Sequence, residues 1–111
     1  MHPLTADDLL SGAAATYEVV VPPEVLKPGQ EAGGNGQGYT VTLRPITIGS
    51  FQLITKAARQ DPGLMPLLMI KESLVNPEMS LAQVRKMHMG LVEFLIQHIR
   101  RISGLSEKKS L

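Results

Sequence analysis

A chain of 111 residues can build one modest core, and its eleven basic and ten acidic side chains, net +1, provide no excess charge to drive binding to nucleic acid or an anionic membrane. It has no cysteine, which excludes disulfides and thiolate metal sites. Apolar runs such as Leu67 to Ile70 fall far short of the roughly 20 residues that span a bilayer, and MHPLTADDLL carries Asp7 and Asp8 where a signal peptide is apolar, so a cytoplasmic, non-membrane protein is expected.

Thr5, followed three residues later by Asp8, has the spacing of a capping box and predicts a short helix through Leu9 and Leu10, ended by Gly12. Tyr17-Glu18-Val19-Val20-Val21 favours an extended strand, which Pro22-Pro23 stops by removing two amide donors. The stretch from Lys27 to Gly38 has five glycines and no large apolar residue, so little burial can offset its chain entropy and a flexible loop is expected. Tyr39 to Arg44 alternates with period two, with Tyr39, Val41 and Leu43 on one face. Pairing it with Tyr17 to Val21 makes a hairpin.

After Pro45 the period becomes helical. Ser50 is the expected cap of a helix to about Gln60, with Phe51, Ile54, Ala57 and Ala58 inward. Asp61-Pro62 separates it from a second helix, whose start is set between Pro62 and Pro66 because proline is tolerated only in a first turn. From Leu64 to Val75 apolar residues cover almost the whole circumference, which predicts the most buried helix. Asn76-Pro77 breaks it, and Ser80 with Gln83 forms a second capping box for a helix carrying Leu81, Val84 and Met87. Gly90 is expected to separate that helix from a last one with Leu91, Leu95, Ile99 and Ile102 inward, Phe94 beside them, and Arg100 and Arg101 in its final turn. Gly104 can take a left-handed conformation and let Leu105 fold back on Ile99.

The expected fold is α+β and mostly α: a short N-terminal β-hairpin followed by a compact bundle of about four helices. Residues 1–37 read as an arm with a short strand and the glycine-rich loop, 38–105 as the compact domain, and 106–111 as a polar tail.

No arrangement of side chains points to catalysis. His2, His88 and His98 lack metal-ligand spacing and read as surface or helix-face histidines. Gly33 to Gly38 is not followed by Gly-Lys-Ser/Thr and leads into a strand, unlike a phosphate-binding loop. An enzyme is not expected, nor is a cofactor. The basic pairs Arg85-Lys86, Arg100-Arg101 and Lys108-Lys109 are scattered, and aromatic side chains for base stacking are few, so nucleic acid is not an expected partner. Met65, Met69, Met79, Met87 and Met89 supply polarizable side chains that fill a core or form an adaptable contact surface. Met65, Met69, Phe94 and Leu95 are the candidate contacts with a protein partner.

Leu43-Arg44-Pro45-Ile46-Thr47, the Asp61-Pro62 break, Ser73-Leu74-Val75-Asn76-Pro77 with Ser80 and Val84, and Ile102-Ser103-Gly104-Leu105 together resemble the tail assembly chaperones of long-tailed bacteriophages. The resemblance implies a short β element before a helical domain. It also implies binding to a tape-measure protein, keeping its apolar helices soluble, and recruitment of tail-tube subunits. Small assembly and baseplate proteins of phage-like contractile injection systems have a similar character, and a permanent tail or baseplate subunit, self-associating as a homo-oligomer, is the alternative expectation. The glycine-rich loop and Pro22-Pro23 depart from the family pattern.

Overall fold

A computed structural model describes residues 2–29 and 38–105. Most of the expected glycine-rich loop and the whole 106–111 tail lie outside the described residues. The element order is α1 (Ala6–Ala14), β1 (Tyr17–Val21), α2 (Pro23–Leu26), β2 (Tyr39–Leu43), α3 (Ile48–Ala57), α4 (Leu64–Ser73), β3 (Leu74–Asn76), α5 (Leu81–Val84) and α6 (Met89–Ile102). The class is α+β and mostly helical, as expected, with a three-stranded antiparallel sheet in the order β1-β2-β3.

The hairpin has the expected partners, Tyr17 opposite Leu43 and Val21 opposite Tyr39. Because side chains alternate across a strand, Val19, Val21 and Leu43 turn together toward the helices and are buried, while Glu18, Val20 and Thr40 face outward and are exposed. Val19 belongs to the same apolar cluster as Ile54, Ile70, Leu74, Val84, Leu95 and Ile99. Val19 thus packs β1 against the apolar cluster of the helices.

Leu74 and Val75 were expected to continue the helix up to a break at Asn76-Pro77; Leu74–Asn76 instead form a third strand beside β2, with Leu43 opposite Leu74. The cause lies in residue 44, which follows β2. The Arg44 N–H donates to the Ser73 carbonyl at 2.9 Å and its Nε–H to the Glu72 carbonyl at 3.0 Å, capturing carbonyls that a helix terminus leaves free. In return the Ser73 hydroxyl donates to the Arg44 carbonyl at 2.6 Å. The ion pair between Arg44 and Glu72, 3.5 Å with both side chains well exposed, adds little beside these bonds. Periodicity reports which positions are apolar, but a long-range capture of helix carbonyls leaves no periodic trace. Ser73 is fully buried, so Ser73→Ala removes the donor and leaves the Arg44 carbonyl without this partner. A loss of about 1–3 kcal/mol is expected, read as a lower urea midpoint with an unchanged slope.

The helix starts follow local chemistry. The Thr5 hydroxyl accepts from the Asp8 N–H and the Asp8 carboxylate accepts from the Thr5 N–H, the expected capping box; the Thr5 amide and hydroxyl bonds hold the Asp8 carboxyl below its ordinary value. α1 runs past Gly12 to Ala14, since a single glycine weakens a helix without ending it. Thr47, not Ser50, caps α3, its hydroxyl accepting from the Ser50 N–H at 3.1 Å. α4 begins at Leu64, which puts Pro66 at the third helical position, where no intrahelical amide donor is required. Ser80 and Gln83 form the second expected box, but α5 is only one turn long and Met87 lies beyond it.

Gly90 does not separate two helices; it sits in the first turn of α6. His88 is the cap. Its Nδ1 accepts from the Leu91 N–H at 3.2 Å, which leaves the ring proton on Nε2 to donate to the Val25 carbonyl at 2.8 Å. The imidazole thus ties α2 to the start of α6, a role that helix-face spacing did not reveal. At the other end Gly104 adopts φ 86, the Leu105 N–H reaches the Arg100 carbonyl and the Gly104 N–H the Arg101 carbonyl, a Schellman termination.

Candidate functional site

Ile46, Thr47, Ile48 and Phe51 at the start of α3, Met65 and Met69 on α4, and Arg100, Ser103 and Leu105 at the end of α6 line one groove of about 440 Å³. One of the bonds that set its position joins α3's approach to the end of α6. The Ile46 N–H donates to the Ser103 hydroxyl at 2.9 Å, pinning the segment between β2 and α3 to the end of α6. Thr47 then starts α3 at a fixed point, and the Schellman turn at Gly104 brings Leu105 to the rim.

The floor is built from the core. Met69 is 9 % exposed and Met65 half-buried against the apolar cluster. The rim is open: Ile48 is 77 %, Phe51 44 % and Leu105 48 % exposed. Apolar side chains dominate the lining, and Arg100 is its one charged residue among those described. Such a channel can hold the apolar face of a helix and place a cation beside an acidic residue at the helix edge. Among the described lining residues no nucleophile is paired with a base. Among the described residues no cluster of three or more His, Asp or Glu is placed to hold a metal, and no helix is long and apolar enough to cross a membrane.

Of the four candidate contacts, the structure brings Met65 and Met69 together in this groove and leaves Phe94 and Leu95 out of it. Leu95 is 2 % exposed and lies in the core with Ile70, Val84 and Ile99, so it is a packing residue of the folded chain. Phe94 is partly buried on another part of α6, its ring 4.5 Å from that of His98. Burial and the neighbouring Arg101 guanidinium hold the His98 imidazole below its ordinary pKa. Of the groove's main exposed groups, Phe51 departs from the inward face expected for α3, Leu105 follows the expected left-handed Gly104 yet stays half exposed, and Ile48 has no periodic signal. All three stand at helix ends, where the position of a neighbouring segment decides exposure.

The residues that carry the tail-chaperone resemblance have local structural tasks. Leu43 is core, Arg44 caps α4, Thr47 caps α3, Ser73 and Ser103 bond the segment between β2 and α3, and Gly104 ends α6. No family model matches the chain, and neither does any curated protein or solved structure.

Proposed function

We propose that this protein is a non-enzymatic assembly factor of a phage-like tail, which receives an apolar helical segment of a tape-measure or other tail protein. The groove of Ile46, Ile48, Phe51, Met65, Met69 and Leu105 carries the reading, because its exposed apolar groups, Ile48, Phe51 and Leu105, are contiguous with the methionines along one concave surface, the arrangement that suits a protein-interaction site. Methionines in its floor suit a site that accommodates more than one apolar sequence. The resemblance in Leu43–Thr47, Ser73–Pro77 and Ile102–Leu105 supplies the tail setting.

Co-expression with long helical tail proteins tests it. The expected outcome is a soluble complex that forms during assembly and is missing from the finished particle; failure of every helical tail protein to co-purify would refute the reading. A second reading, a permanent subunit of a tail, baseplate or contractile injection system, is favoured by α1, whose residues are all exposed. That reading requires the chain in the finished particle at fixed copy number.

A further inference from the structure

Helix α1 has no buried residue, yet its sequence is sorted into two faces. At 100° per residue, Ala6, Leu9, Leu10, Ala13 and Ala14 share one side, and Asp7, Asp8, Ser11 and Gly12 the other. Leu4, at the position before the cap, is 70 % exposed, Leu9 71 % and Leu10 66 %. A helix this short is marginal in water, so an amphipathic one closed by a complete capping box is suited to an apolar receptor.

We infer that the α1 helix of one copy docks in the Ile46–Phe51–Met65–Leu105 groove of a second copy. Three observations select this occupant. α1 presents leucines and alanines along one face, the kind of surface the groove is lined to receive. Its charge complements the groove: α1 has Asp7 and Asp8 in its first turn and no basic residue in its last, while the charged group lining the groove is Arg100. Asp7 borders the apolar face next to Ala14 on the helical wheel, so burial of that face leaves its carboxylate at the edge where a cation can meet it.

The connection favours a second copy over the chain's own groove. Only Ala15 and Thr16 separate α1 from β1, and Ala15 is extended at φ −76, ψ 149. Tyr17 and Glu18 lie beside Arg101, Ile102 and Gly104, so β1 starts close to the end of α6 and thus to the groove rim. With no residue buried, α1 does not occupy the chain's own groove, and a two-residue extended link leaves it little reach to do so, whereas a second copy is under no such constraint. The contact is head to tail: each copy offers one arm and one groove, so it closes into a ring or propagates as a filament. With so small an interface, micromolar association is expected.

The inference rests on the groove being a receptor for helices, and the experiment separates the two. Sedimentation velocity is run on the full chain, on Leu9→Asp/Leu10→Asp, which alters only exposed positions, and on Phe51→Asp, with circular dichroism confirming that each is folded. The full chain is expected to gain mass with concentration, each variant alone to stay monomeric, and their equimolar mixture to form a dimer and nothing larger, since one variant keeps only the groove and the other only the arm. A full chain that stays monomeric at high concentration overturns the inference. So does a Phe51→Asp chain that still dimerises, which indicates arm-to-arm pairing, or a mixture that fails to combine. If the full chain is monomeric while Phe51→Asp still abolishes capture of a co-expressed helical tail segment, self-docking fails and the receptor reading stands. If Phe51→Asp leaves that capture intact, the receptor reading fails.

Discussion

Phe51→Asp is expected to weaken capture of a helical tail segment by roughly 30-fold or more, about 2 kcal/mol, while the protein stays folded. The size follows from the position. Phe51 is 44 % exposed in the free chain and lines the groove with Met65 and Met69, so an arriving helix would remove most of its remaining apolar surface from water. An aspartate there has to be desolvated against apolar neighbours on binding. In the free protein the same aspartate costs little, because it would stand at the fourth position of α3, where a negative charge suits the helix N-terminus. Leu53→Asp is the control: Leu53 is 69 % exposed on the same helix and does not line the groove. Titration of a fluorescent helical segment against both variants should show loss for Phe51 and no change for Leu53. Equal losses would locate binding elsewhere on α3, and no loss in either would remove the groove as the site.

What could be read from the sequence was what local chemistry decides. Alternation in Tyr39–Leu43 and the apolar run in Tyr17–Val21 specified the hairpin and its partners, and the Thr5/Asp8 and Ser80/Gln83 boxes specified two helix starts. The near-continuous apolar surface from Leu64 marked the most buried helix, and α4, with Met69, Ile70 and Ser73 buried, packs against α3, α5, α6 and β3. The errors fall where a distant residue decides the outcome. β3 exists because Arg44 takes the carbonyls at the end of α4, and His88 serves as a cap because the Val25 carbonyl holds its other nitrogen. The groove was half legible for the same reason. Met65 and Met69 stand out as polarizable side chains on an apolar helix, whereas the exposure of Ile48, Phe51 and Leu105 depends on Ser103 pinning Ile46 across 57 positions of chain.

Leu95→Ala is expected to do the reverse of Phe51→Asp. Leu95 is 2 % exposed and packs in one cluster with Ile70, Val84 and Ile99, each 0 % exposed, so truncation loses the transfer energy of the removed atoms and leaves a cavity that the three helices cannot readily close. The cost should be about 3 kcal/mol, from a total of roughly 5–15 kcal/mol for a chain of this size. In a thermal melt this corresponds to a fall of roughly 10–20 °C, and in urea to a lower midpoint with an unchanged slope. Below the new transition the folded variant should bind a helical segment as the unmodified chain does, because the groove is formed by other residues of α6, Arg100 and the turn through Ser103 and Leu105. A Leu95→Ala protein of unchanged stability that had lost binding would return Leu95 to the contact surface and contradict the packing of α6 on α4. The two variants make opposite demands: one should lose binding with its fold intact, the other stability with binding intact, and only a groove distinct from the core beneath it satisfies both.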